Sequence, residues 1–232
     1  MAITGAVKRS TQQNPRISVN KLAEYLEANP TRRKKIVYDA KHPEPFVTTR
    51  YKDAREYIKS YICGETDEDA ILVRIDAFNT ADADSDFQEQ DNNLSAEVLE
   101  LLLDTDISSW DGYEISSFEG ENTLVNISGV DISVNPDLLV KQEKGGETKF
   151  GLIKLHLSKT NQLSEESQKI VAVMLLGFAH KIAEEYGTPE EKMCMSFDIF
   201  KQHSECCPTA VKMRLRKIEA ACEEIALWWG TL

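Results

Sequence analysis

From Gly112 to Lys159, short apolar runs are punctuated by glycine, in GYEISSFEG, TLVNISGVDISVNPDLLVKQ and KFGLIKLHLSK. Runs of this length bounded by turn residues read as strands. Helical patterns enclose them on both sides, and that enclosure is the strongest constraint on the fold. SAEVLELLLD, from Ser95, precedes the strands. SEESQKIVAVMLLGFAHKIAEEYG follows, with Ser164 placed to cap its start and Gly187 to stop it. EKMCMSFDIFKQ reads as one more strand. TAVKMRLRKIEAACEEIALWW reads as a closing amphipathic helix with Val211, Leu215, Ile218, Cys222 and Ile225 inward. The order from residue 95 is helix, three strands, helix, strand, helix. It predicts an α/β (α+β) fold in which a mixed sheet is flanked by helices.

Upstream, the first third reads as three short helices separated by proline breaks. Ser18 caps the first, with Leu22, Tyr25 and Leu26 on one face before Asn29-Pro30. The second restarts at Thr31 with Ile36 and Val37 inward and ends at HPEPF. The third places Tyr51, Ala54, Tyr57, Ile58 and Tyr61 at helical spacing. Residues 1–16 have no periodicity and are expected to form a mobile tail. Residues 64–94 are rich in Asp and Glu around one apolar run, Ile71 to Phe78, and read as an acidic linker with a single short strand. Three segments are therefore expected: a basic helical N-terminal region (1–63), the acidic linker (64–94) and an α/β core (95–232).

The charge is divided along the same boundaries. Residues 1–63 hold 13 Lys/Arg against 6 Asp/Glu, a balance of +7, so the remainder carries −19 of the net −12. An acidic body repels phosphates, so nucleic acid would meet the N-terminal region first. Arg32, Arg33, Lys34 and Lys35 are the densest basic run there and the candidate nucleic-acid contacts. With 41% hydrophobic and 28% charged residues the composition is that of a globular protein. No apolar run approaches the roughly 18 residues of a membrane span, and the N-terminus has no signal-peptide core. A cytoplasmic location without membrane attachment is expected. The five cysteines, Cys63, Cys194, Cys206, Cys207 and Cys222, are odd in number and irregularly spaced, as reduced thiols would be. Cys194, His203, Cys206 and Cys207 match no paired-ligand zinc spacing.

The residues that look most like chemistry lie in the last two strand runs. Asp137 follows Pro136 at a strand start, and in KFGLIKLHLSK alternation puts Leu152, Lys154, His156 and Ser158 on one face. With both sheet faces covered, such polar groups need partners. His156 is suited to carry a proton and Lys154 to contact a phosphate.

The element order, the Pro-Asp and the polar-alternating strand after the next turn together resemble the PD-(D/E)XK nuclease superfamily. The resemblance covers roughly residues 95–200. It implies a core of helix, three-strand meander, crossover helix and fourth strand, with an Asp on the second strand and an acidic residue, a spacer and a Lys on the third. Two such carboxylates share Mg²⁺ while the Lys orients the attacking water. Carried onto this chain, Asp137 takes the first carboxylate position. Lys154 stands where the second belongs, and His156 where the Lys belongs. Asp137, Lys154 and His156 are thus the implied catalytic positions, and Asp137 with Glu97 or Glu100 the implied metal ligands. Lys154 removes a ligand and adds a cation, so the resemblance implies a catalytically degenerate protein with no cofactor, or with Mg²⁺ if active. GVDISVNPDLLV, GLIKLHLSK and AACEEIA also resemble stretches of a family of bacterial proteins.

Three function classes follow. The first is a nuclease-fold protein that binds nucleic acid without cleaving it, as a subunit of a bacterial genome-defence or DNA-processing system. The second is an active metal-dependent nuclease with an atypical site. The third is a non-catalytic scaffold. The expected partners are nucleic acid and either another protein or a second copy of the chain.

Overall fold

The computed structural model describes residues 10–44 and 50–232. The chain enters through a short strand, β1 (Arg16–Ser18), and turns directly into α1 (Val19–Glu27). Ser18 ends the strand and caps the helix, its Oγ accepting the Lys21 N–H at 3.4 Å. In α2 (Pro30–Lys41), Asn29 caps through the Arg32 N–H at 3.0 Å and Pro30 fills the first turn, where a missing N–H costs nothing. Next come α3 (Lys52–Ile62), α4 (Glu68–Thr80) and α5 (Asp86–Leu103). The strand region holds β2 (Glu114–Ser117), β3 (Leu124–Ile127), β4 (Val130–Ser133), β5 (Leu138–Lys144) and β6 (Glu147–His156). After it come α6 (Glu165–Lys181), α7 (Ala183–Tyr186), β7 (Thr188–Pro189), β8 (Met195–Asp198), β9 (His203–Cys206) and α8 (Val211–Thr231).

The main sheet runs β2-β5-β6-β8-β9, with β7 paired to β6 beside that path. The β2–β5 and β5–β6 pairs are antiparallel, and α6 then carries the chain over to β8, parallel to β6. Gly145 and Gly146, at φ of 65° and 84°, close the tight β5–β6 turn, which needs positive φ at both positions. The helix, meander, crossover helix and strand order expected from residue 95 is present, but its first helix begins at Asp86, inside the expected linker, β7 and β9 are further strands, and the meander carries an insertion. Between β2 and β5 the chain leaves the main sheet, and β3 and β4 form a hairpin that pairs with β1 in a second sheet, ordered β1-β4-β3. TLVNISGVDISVNPDLLVKQ is therefore three strands in two sheets.

Two further expectations need correction. Ile71 to Phe78 is helical, not a strand. Ile71, Ile75 and Phe78 are buried at i, i+4 and i+7, Leu72 and Val73 are exposed, and Asp67 caps the helix through the Ala70 N–H. The run is β-branched enough to pass for a strand, but only the helical period buries one consistent face. Residues 10–16 are not a tail. The Gln12 N–H donates to Lys41 O at 2.8 Å, and Pro15 O accepts from Asp131 N at 2.9 Å. Residues 1–9 and the PF of HPEPF lie outside the described residues.

The main sheet separates two cores. On one face Leu139, Phe150 and Leu152 pack with Leu22, Tyr25, Val37, Phe178 and Ile225, from α1, α2, α6 and α8. On the other, Leu138, Val140, Ile153, Leu155 and Phe197 pack with Ala54, Ile58, Ile71 and Leu99, from α3, α4 and α5. The alternation expected for β6 is the one observed, since Leu152 faces the first core while Ile153, Leu155 and Leu157 face the second. Among the described residues no helix is long and apolar enough to cross a membrane.

Candidate functional site

Asp137 stands at the start of β5, opposite Lys154 in the register set by the Leu138↔Ile153 pair. Its N–H donates to Ile153 O at 2.8 Å, which fixes the backbone. Just upstream, Asn135 adopts φ 42°, a left-handed conformation that Asn tolerates. The Lys154 ammonium donates to Asn135 O at 2.5 Å and to Asp137 Oδ2 at 3.0 Å. Asp137 Oδ2 also accepts the Leu155 N–H at 2.8 Å. On Oδ1 the Arg55 guanidinium, from the first turns of α3, donates at 2.7 Å and reaches Leu155 O at 3.3 Å. Both carboxylate oxygens of this buried Asp are therefore occupied by protein donors. Burial alone would push the Asp137 carboxyl up, but the Lys154 and Arg55 charges and the Leu155 N–H outweigh it and hold it below the usual carboxylate range. Burial draws the Lys154 ammonium down against the pull of Asp137. Its two acceptors keep the proton on Lys154, so the pair is ionic.

His156 follows two residues later on β6 and is also buried. Its Nε2–H donates to Asn161 O at 2.7 Å, and Asn20 Nδ2–H donates to its Nδ1 at 3.2 Å, so the ring is neutral. Burial holds its pKa below the ordinary value. Across the parallel ladder stands Asp198, fully buried. One oxygen of Asp198 accepts the Leu163 N–H at 2.7 Å and the other the Lys201 N–H at 3.3 Å. Burial raises its pKa. His156 and Asp198 thus hold Asn161 and Leu163 of the loop between β6 and α6, and Asn20 ties His156 to α1. Among the described residues Asn20 Oδ1 is buried with no partner.

The residues do not fit Mg²⁺. A hard divalent ion needs carboxylate oxygens with uncommitted lone pairs. Asp137 offers none. Glu97 pairs with Lys159 at 2.7 Å, and Glu100 lies exposed on α5. Among the described residues, ligand atoms within 4.8 Å of one another come together at Glu165, His203 and Glu205, on the surface. There the Lys169 ammonium already lies 3.6 Å from each carboxylate. The thiol set does not converge either. Cys194 and Cys207 are buried, with pKa values pushed up to about 12 by that burial, whereas Cys206 is exposed on β9.

The basic run of α2 is spread round the helix, because four consecutive positions sweep about 300°. Arg32 Nε bonds Glu24 at 2.6 Å, Arg33 donates to the Tyr25 and Leu26 carbonyls at 3.0 and 3.2 Å, and Lys35 pairs with Asp39 at 2.9 Å. Lys34 lies 5.9 Å from the Trp228 ring centre. Each has an intramolecular partner, and Arg33 adds donors to the Tyr25 and Leu26 carbonyls at the C-terminus of α1.

The structure brings together Asp137 and Lys154 as expected, sets His156 in an adjacent network, and leaves Glu97 and Glu100 apart from both. Three participants escaped sequence reasoning. Asp198 left a signal, as a lone acid inside the apolar run SFDIF, which has to find partners when buried. Arg55 and Asn20 left none, being 82 and 136 residues from the groups they bond. Compared with protein-family models and with curated proteins, the chain matches none.

Proposed function

We propose that this chain is a catalytically silent protein of nuclease-like topology that works as an assembly subunit. The observation that carries the proposal is the occupation of both Asp137 oxygens by Arg55, Lys154 and the Leu155 N–H. In the PD-(D/E)XK arrangement that carboxylate serves a metal. Here two fixed cations take the metal's place, and His156, where the water-orienting Lys would stand, is spent on Asn161 and Asn20. The α5, β2-β5-β6, α6, β8 order supports the superfamily reading, but topology alone assigns no chemistry.

The test incubates the purified protein with single- and double-stranded DNA and RNA in Mg²⁺ or Mn²⁺, beside an Asp137→Ala control. No cleavage is expected, and cleavage abolished by that substitution would overturn the proposal. Lys154→Glu combined with His156→Lys restores the superfamily pattern on β6, and a gain of Mg²⁺-dependent cleavage would support descent from a nuclease. A second reading, binding of nucleic acid without cleavage, is favoured by the +7 balance of residues 1–63. Replacing Arg32, Arg33, Lys34 and Lys35 with Ala would then weaken binding and flatten its salt slope by about 0.7–0.9 per lost contact.

A further inference from the structure

We propose that the free edge of β1 is a docking site for an extended segment of a partner protein, alternately apolar and acidic, which adds a fourth strand to the small sheet. The inference stands on β1 and α2, not on Asp137, and holds whether or not that site is silent.

β1 is the terminal strand of the β1-β4-β3 sheet. Pro15 O accepts the Asp131 N–H, which fixes the backbone alternation. Residues 15 and 17 direct their polar groups toward β4, so those of Arg16 and the N–H of Ser18 point outward. Such an edge is a template for another strand unless something blunts it. Here it borders a cavity of about 370 Å³ between β1 and α2, whose lining includes Arg16, Ile17, Ser18, Ile36 and Ala40. That volume lies in the range of ligand sites, and the edge asks for a ligand with backbone donors and acceptors of its own. Ile36 and Ala40 give the cavity apolar walls, suited to an aliphatic side chain.

Charge selects the rest of the occupant. Arg16, Lys21 and Arg32 line the cavity against one lining carboxylate, Asp39. Asp39 is paired with Lys35, and Lys21 and Arg32 share a single acceptor, Glu24. Arg16 is exposed and has no ion pair among the described residues. The rim is therefore net positive on a protein of net charge −12. An acidic segment is attracted to this rim and repelled by residues 64–232, which carry −19, and this favours correct placement.

The probe is fluorescein-labelled acetyl-(Glu-Val)₄-amide, titrated into the full chain and followed by anisotropy. Saturable binding is expected, with Arg16→Glu weakening it about tenfold, the scale of a lost charge-assisted contact. The amide protons of Arg16 and Ser18 should become protected from exchange in the complex, as strand pairing requires and general charge attraction does not. Several results would overturn the proposal. One is the absence of binding. Another is equal affinity for (Lys-Val)₄, or for a Glu-Val peptide interrupted by proline. Full competition by octanoate would make the cavity a site for small amphipathic anions, and duplex DNA binding lost in Arg16→Glu would make the rim a phosphate surface. Protection of Arg16 and Ser18 already present without peptide, and lost on removing residues 1–9, would make the chain its own occupant.

Discussion

Asp137 shows how differently a buried ion pair responds to losing one partner and to losing both. Removing the carboxylate alone strands Lys154, whose side chain is only 14% exposed, beside Arg55. Asp137→Ala should therefore cost about 3–5 kcal/mol in urea unfolding, whereas Asp137→Leu with Lys154→Met should recover most of that loss. Arg55, at 29% exposure, can turn to water in the double variant. The pH dependence has a definite sign. Asp137 is depressed in the folded state, so its contribution is fully present above the ordinary Asp value of about 3.9 and is lost as pH falls through the folded value. The neutral pair should lose less stability than the wild type between about pH 4 and the acid limit. Equal slopes in the two proteins would show that the pair does not govern this limb.

At the scale of elements, β6 is the most constrained strand, because the chain crosses close over it on the way from α7 to β8. A Cβ on Gly151 would lie 2.2 Å from Met193 O, a backbone atom with no freedom to retreat. Gly151→Ala should cost about 1–3 kcal/mol by overpacking. Gly177→Ala, at an α6 site with nothing within 4 Å, should stabilise by about 0.4–1 kcal/mol. Thermal unfolding of the two variants compares them directly, and a tolerated Gly151→Ala would mean that the crossing segment moves. Nothing local marks Gly151 as a contact point. The same division runs through the rest of the fold. The long helices and the β5–β6 hairpin were legible because their periods repeat over many residues, and the facing of Lys154 and Asp137 followed from them. The helix α4 was not, because ILVRI satisfies both periods and only the opposing core decides between them. β1 was not, because three residues carry no period and their partner is distant. The site was legible as a set of polar positions; the donors that occupy Asp137 were not.

Over the whole molecule, charge is as unevenly placed as structure. Residues 64–140 hold 20 acidic residues against one basic, Arg74. Glu68, Asp69, Asp76, Asp86 and Glu89 are exposed on α4 and α5. Their mutual repulsion is screened by salt over about 10 Å at 0.1 M. The melting temperature should therefore rise between 20 and 500 mM NaCl; a fall would show that the ion pairs outweigh this repulsion. The register of the small sheet has a consequence for synthesis. Arg16 pairs with Asp131, 115 residues later (131 − 16), so β1 emerges from the ribosome long before β4 exists. At about 5–20 residues per second the interval is roughly 6–23 s. Throughout it Ile17, Leu22 and Tyr25 have no finished sheet to cover, and the nascent N-terminus offers an unpaired strand to any chaperone or neighbouring chain within reach. Of all the strands in the two sheets, the first to be made waits longest for its partner.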